Sequence, residues 1–274
     1  MNLTSKLSAV WIPGLPHLLT PKSSTHWLRC ANALEALGRK VEAERFERIV
    51  LYSTQWLSVL GTSFQAQEEP RGIHVDENWY ELGDLPFHFK CDSALSRRFA
   101  DAVKGKGLPA KTVDYDGFPI DTGTIVAMKF LNPDGKIPVS LVSSWVYATP
   151  ETSFTIGAEV KKTICQQGHK TLFVASSLLS SRFLTKEIDP EADAFAVRAD
   201  DEWNRKVLAH WEAGDWSGLK AYAAQFAKEA RADMQFNAFH WLNGILEDKS
   251  VRGRVSHYGP LWGTGAAVVE FYVD

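Results

Sequence analysis

No metal-binding motif is written in this chain. Its eight histidines, His17, His26, His74, His88, His169, His210, His240 and His257, fall in no H-E-x-x-H, C-x-x-C or H-x-H arrangement. A metal could therefore be held only by residues gathered from distant loops. There is no P-loop and no G-x-G-x-x-G turn to cradle a nucleotide, and no G-x-S-x-G elbow to present a nucleophilic serine. Apolar runs of about 18 residues are missing, which excludes a membrane-spanning helix. The first residues, Met1 to Ile12, carry one lysine and a short apolar stretch stopped at Pro13, without the core and cleavage site of a secretory leader. Only three cysteines occur, Cys30, Cys91 and Cys165. Their odd number and wide spacing suit a reducing cytoplasm better than a disulfide scaffold. A net charge of -3, with no basic stretch interleaved with aromatics, favours neither nucleic acid nor an acidic membrane surface.

What is abundant is apolar and aromatic. Hydrophobic residues make up 45% of the 274 and ten are tryptophan, enough for a substantial core. The tryptophans fit either an aromatic-rich core or a protein interface, where large amphipathic rings are enriched.

Strand-like apolar runs cover Ser8–Ile12, Ile49–Ser53, Thr112–Tyr115, Thr124–Phe130, Val139–Val142, Thr171–Ser176 and Ala266–Val273. Helical periodicity covers Ser24–Leu37, with Gly38 as its stop, then Ala94–Lys104 and Phe154–Gln167. Three more helical patterns follow at Asp201–Ala213, Trp216–Ala232 and Asn237–Glu247, with Ser217 placed to cap the second. The alternation predicts an α/β fold: a single domain over residues 1–274, with a central mixed sheet flanked by helices and a helical insertion before the last strand. Gln65–Gly72 reads as a surface loop.

The carboxyl end of a buried strand is where an open α/β sheet places its chemistry. Arg48–Ser53 is the clearest such strand, and Thr54, Gln55 and Trp56 follow it. A histidine at position 55 would be a strong ligand candidate, whereas a glutamine amide is a poor ligand for a catalytic transition metal. His17, just after the first strand, reads as a ligand or as a loop-packing histidine. The acidic segment His74–Asp84 could bind a cation or do acid/base work, or be a solvated loop. Asp116 and Asp121 read as turn caps. Ser176–Ser181 follows a buried strand without a nucleophile elbow.

Taken in order, Pro13-Gly-Leu-Pro-His17, Val50–Trp56, His74–Tyr80, Tyr115–Thr124, Glu187-Ile-Asp-Pro190 and Tyr258-Gly-Pro with Gly265-Ala-Ala resemble class III extradiol ring-cleavage dioxygenases over essentially the whole chain. Within that superfamily the chain is most similar to the alpha subunits of its 2-aminophenol-cleaving members. Catalytic members hold non-haem Fe(II) with two histidines and a glutamate, and use a further histidine as acid/base. The resemblance puts the first ligand at Gly14, with His17 matching a later, non-ligand histidine. It puts the second ligand at Gln55 and the acid/base at Ser181, after Leu179-Ser180. The glutamate belongs shortly before Trp241, but Gln235–His240 contains no carboxylate, and Asp233 is the nearest.

Four departures at one constellation imply a chain relieved of catalysis. The resemblance then implies a non-catalytic alpha subunit with no cofactor of its own. It would pair, as α2β2, with a homologous beta subunit that carries Fe(II) and opens the ring of 2-aminophenol or chloro-aminophenol to a 2-aminomuconic semialdehyde. The alternatives are an enzyme with a remodelled metal site drawn from His17, Gln55, His257 or the 74–84 carboxylates, and a metal-free module whose vestigial pocket (His17, Gln55, Ser181, His257) holds an aromatic ligand.

Overall fold

Short apolar runs build the middle of one large sheet, and amphipathic helices close both of its faces. The computed structural model describes residues 6–20, 25–182, 188–247 and 250–273. Glu187, part of one motif above, and Ser24, the start of the first helical pattern, lie outside them. In chain order the elements are β1 (Lys6–Ile12), α1 (Thr25–Glu44), β2 (Arg48–Ser58), β3 (Thr62–Gln65), β4 (Arg71–His74), β5 (Leu85–His88), α2 (Ser93–Lys104), β6 (Ala110–Val113), α3 (Thr122–Leu131), β7 (Val139–Trp145), α4 (Pro150–Cys165), β8 (Thr171–Ser176), α5 (Arg198–Ala213), α6 (Trp216–Glu229), α7 (Asn237–Leu246), β9 (Val251–Leu261) and β10 (Thr264–Val273).

Eight strands form a sheet of order β6-β3-β7-β2-β8-β1-β10-β9, and β4 with β5 forms a separate hairpin. β7, β2, β8 and β1 run parallel, whereas β3, β10 and β9 pair antiparallel with β7, β1 and β10 respectively. The mixed α/β sheet and the helices α5–α7 inserted ahead of the last strands match the architecture expected. Strands from both ends of the chain share this sheet.

Several local expectations were wrong. Thr124–Phe130 is not a strand but the body of α3, capped by Asp121, which accepts from the Thr124 amide at 2.9 Å. Nearly every residue of this helix is buried, so no polar stripe marks its period, and a helix buried all round reads like a buried strand. Gly38 does not stop α1, which runs to Glu44. Its role is close packing: a Cβ there would lie 2.1 Å from the Phe130 carbonyl oxygen on α3. Asp215, not Ser217, caps α6 by accepting from the Gly218 amide. Gln65 is fully buried at the end of β3, and Arg71-Gly72 already belong to β4, so the proposed loop is shorter than read. β6 begins at Ala110, two residues ahead of the predicted strand.

One core under α2 and α4–α7 is built on Trp11, Trp211, Trp241, Phe226, Phe236 and Phe239, and the other, under α1 and α3, on Ile12, Leu34, Ile49 and Val126. No tryptophan is exposed: five are buried and five half-buried. The aromatic surplus therefore serves the core. No helix among the described residues is long and apolar enough to cross a membrane.

Candidate functional site

The parallel strands β1, β2 and β8 end at the same edge of the sheet, and the polar residues of interest converge there. β2 does not stop at Ser53. Ser53 pairs with Ser143 and Leu57 with the next residue, Ser144, so Thr54, Gln55 and Trp56 bulge out of the ladder. Such a bulge re-aims side chains at a strand end, and here it turns Gln55 toward the end of β1. The Gln55 Nε2 donates to the Gly14 carbonyl oxygen at 3.0 Å. Two of the positions singled out from sequence thus meet.

Gly14 is buried, and a Cβ on it would lie 2.7 Å from both the Gly123 Cα and the Ser176 Oγ. The nearer neighbours include backbone, so no larger residue fits without moving the start of α3.

Around this contact lies a network of hydroxyls and carboxylates. Ser53 Oγ donates to Asp121 Oδ1 at 2.6 Å, and Thr124 Oγ1 donates to Asp121 Oδ2 at 2.6 Å. Ser176 Oγ donates to the Gly123 carbonyl at 3.3 Å. Asp233 Oδ2 accepts from Thr54 Oγ1 at 2.6 Å, Ser177 Oγ at 3.0 Å and the Leu178 amide at 3.0 Å. Burial pushes the Asp233 carboxyl above its ordinary range, against the pull of these donors. Asp121, read as a turn cap, caps the helix α3 instead, and it is also the hub of this network. Ser53, Thr54, Ser176 and Ser177 were not picked out as partners in such a network. Hydroxyl residues at strand ends and helix starts are too common to carry a signal of their own.

The remaining candidates stand elsewhere. His17 is 3% exposed, stacked on Trp262 at 4.7 Å and edge-on to Trp27 and Trp79 at 4.9 and 4.8 Å. Desolvation lowers its pKa to about 4, partly opposed by Asp76, so it is a neutral ring filling an aromatic box. His257 lies on β9, half-buried near His26, and burial lowers its pKa to about 4 as well. Ser181 faces an open surface cleft with Arg182, Lys228, Arg231 and Gln235, and its amide donates to the Arg231 carbonyl. In the 74–84 segment Asp76 is structural, accepting from Thr122 Oγ1 and from the Asn78 and Trp79 amides. Glu77, Glu81 and Asp84 are exposed. His240, in the window where a glutamate was sought, is 7% exposed and packs on Phe236 and Phe239.

These residues do not suit Fe(II). Gly14, where the resemblance implies a first ligand, has no side chain and no room for one, and Gln55, where it implies the second, offers an amide already hydrogen-bonded. Both nearby carboxylates are held by protein donors. Among the described residues no group of three or more His, Cys, Asp or Glu side chains could hold a metal ion. Beside the site, the crevice lined by Trp56, Gln65, Phe118, Pro119, Ile120, Asp121 and Leu141 is too constricted to admit a water molecule. An aromatic substrate ring would not enter it.

Residues 12–269 match the family model described as the catalytic LigB subunit of aromatic ring-opening dioxygenase. The chain is 35% identical to the 2-aminophenol 1,6-dioxygenase alpha subunit of Pseudomonas sp., over 97% of this chain and 99% of the relative. It is 24% identical to the beta subunit of 2-aminophenol 1,6-dioxygenase from Pseudomonas sp., over 97% and 93%. It is 20% identical to 3,4-dihydroxyphenylacetate 2,3-dioxygenase of Escherichia coli, over 78% and 79%. Among solved structures, an uncharacterized protein of Escherichia coli K12, JW3007, superposes with a TM-score of 0.69 at 14% identity, covering 97% of this chain and 99% of that one. That likeness speaks to the fold alone.

Proposed function

The chain belongs to the family of the LigB catalytic subunit of aromatic ring-opening dioxygenase, and we propose that it serves that chemistry as a non-catalytic alpha subunit. Its partner would be a homologous beta subunit carrying Fe(II), in a cytoplasmic α2β2 complex that opens the ring of 2-aminophenol or a chloro-aminophenol to a 2-aminomuconic semialdehyde. Its task would be to stabilise the beta subunit. The names of the two Pseudomonas relatives, alpha and beta subunits of 2-aminophenol 1,6-dioxygenase, support the partner and the substrate class. Free Cys30, Cys91 and Cys165 suit a reducing compartment.

One observation carries the non-catalytic reading: the Gln55 amide closes on the Gly14 carbonyl where two imidazoles would be needed, and a Cβ at Gly14 meets backbone at 2.7 Å. A facial site needs ligands that together fix geometry and leave open positions, and a single substitute does not supply them. A remodelled site drawing on His17, His257 and Gln55 is not favoured, because His17 is boxed by three tryptophans and His257 sits beside His26. The constricted crevice beside Gln55 likewise counts against an aromatic-binding module.

The test is to co-express the chain with its beta-type partner, separate the two, and measure iron and oxygen-dependent cleavage of 2-aminophenol in each. Iron and turnover should follow the partner. Stoichiometric iron or turnover in this chain alone refutes the reading.

A further inference from the structure

We propose that the former metal position has been rebuilt as a hydrogen-bonded joint, which ties together the chain segments that a ligated ion would tie and carries part of the folding stability. The inference rests on reading Gly14, Gln55 and the region of Asp233 as the family's ligand positions.

A ligated ion cross-links the strands that supply its ligands, so losing the ligands should leave loose strand ends and polar groups without partners. At Gly14, Gln55 and Asp233 the structure shows partnered groups and joined segments instead. The end of β1 is joined to the bulge of β2 through Gln55 Nε2 and the Gly14 carbonyl. The bulge of β2 and the end of β8 are joined to the α6–α7 linker through one oxygen, Asp233 Oδ2, which accepts from Thr54, Ser177 and the Leu178 amide. The start of α3 is tied in by Ser53 to Asp121 and by Ser176 to the Gly123 carbonyl. Five segments thus meet through protein hydrogen bonds.

The linker needs such an anchor. Met234, Gln235 and Phe236 have φ of 44°, 57° and 65°, and Arg231 has 51°. Consecutive left-handed residues other than glycine are disfavoured and persist only where their surroundings over-determine them. Asp233 fixes the near end of this run. Phe236 fixes the far end, packed against Trp11, Trp211, Phe226 and Phe239. The joint therefore holds strained backbone in place as well as bridging strands.

Because the donors from Thr54, Ser177 and Leu178 reach a single oxygen, an amide oxygen can replace the carboxylate for these three bonds. Asp233→Asn should retain the joint, and Asp233→Ala should lose it. In the full chain, with its partner where the two copurify, Asp233→Ala and Gln55→Leu should each raise the unfolding equilibrium constant by about tenfold or more, read by urea titration. Asp233→Asn should stay within about threefold of the unsubstituted chain. Hydrogen exchange at residues 231–236 should speed up in Asp233→Ala and not in Asp233→Asn. Gln55→His, and Gln55→His with Gly14→His, should take up no stoichiometric iron by metal analysis. Gln55→His alone leaves Gly14 untouched and so guards against a double variant that does not fold.

Asp233→Ala and Gln55→Leu unfolding like the unsubstituted chain overturns the joint while leaving the non-catalytic reading standing. Asp233→Asn as damaging as Asp233→Ala also overturns it, as does stoichiometric iron in a folded histidine variant. Iron in the unsubstituted chain overturns the reading beneath it.

Discussion

Replacing His17 with phenylalanine should make the chain less sensitive to acid. In the folded protein the His17 ring, 3% exposed, is desolvated among Trp27, Trp79 and Trp262, and its pKa is lowered from 6.5 to about 4. The folded state thus keeps the neutral form, while the unfolded chain takes up a proton near 6.5. As pH falls below 6.5 the unfolded state binds protons that the folded state refuses, and stability is lost. The loss continues until about pH 4 and amounts to about 3 kcal/mol when complete. By pH 5 roughly 2 kcal/mol of it has gone. His17→Phe removes this titration while keeping an aromatic ring in the box. The larger ring could lower stability at every pH through overpacking, so the quantity to compare is a difference. Urea unfolding at pH 7 and pH 5 gives the stability lost to acid in each protein, and that loss should be about 2 kcal/mol smaller in His17→Phe. Equal losses in the two would refute the argument that His17 is held neutral by its box. His240 and His257, lowered to about 4 in the same way, are present in both proteins and cancel.

Two further outcomes follow from the packing of α1. Burial disfavours the charge on Glu270, but Arg254, Lys40, Ser256 and Tyr272 outweigh it and hold the pKa at about 2; Glu270→Gln should cost about 2 kcal/mol at pH 7, a difference that is complete above about pH 4.5 and fades as pH falls toward 2, followed by urea unfolding. Gly38→Ala should lower the melting temperature by several degrees, because its Cβ would lie 2.1 Å from the Phe130 carbonyl oxygen, even though helix propensity alone favours alanine by about 1 kcal/mol; a higher melting temperature in calorimetry would show that α1 and α3 can separate without penalty.

The centre of the sheet was legible because β2 and β8 contain the unbroken apolar runs Ile49–Tyr52 and Leu172–Ala175, which a strand buried on both faces requires. Other elements were legible only with their surroundings. α3 has no polar face to reveal its period. β9 was missed because Arg252, Gly253 and Arg254 interrupt it, and its strand character comes from pairing with β10 along its whole length. At the site, Gln55 and Gly14 drew notice as residue types that do not ligate, and that much was readable. Their contact was not, because it depends on a bulge that displaces three residues of β2 from the ladder. Nor was the clamp at Asp233, which sits 179 positions from Thr54 in the chain. No local pattern reports a pairing of that kind.

The position of the polar network explains how residues there can change without losing the fold. It lies at the ends of the strands, outside the two hydrophobic cores that hold the sheet between its helices. Those cores supply most of the stabilisation through burial of apolar surface, and none of their residues has to ligate anything. A substitution at a strand end is therefore filtered by two local conditions only: buried polar atoms must find partners, and the backbone must close without a gap. Gln55 meets the first by donating to Gly14, and the close approach of Gly14 and Gly123 meets the second. The fold thus shows where an open α/β sheet would place chemistry. Whether chemistry sits there is decided by the donor types and the space left between them. In this chain an amide, five hydroxyls, two carboxylates and two glycines occupy that place, each bonded or packed to protein.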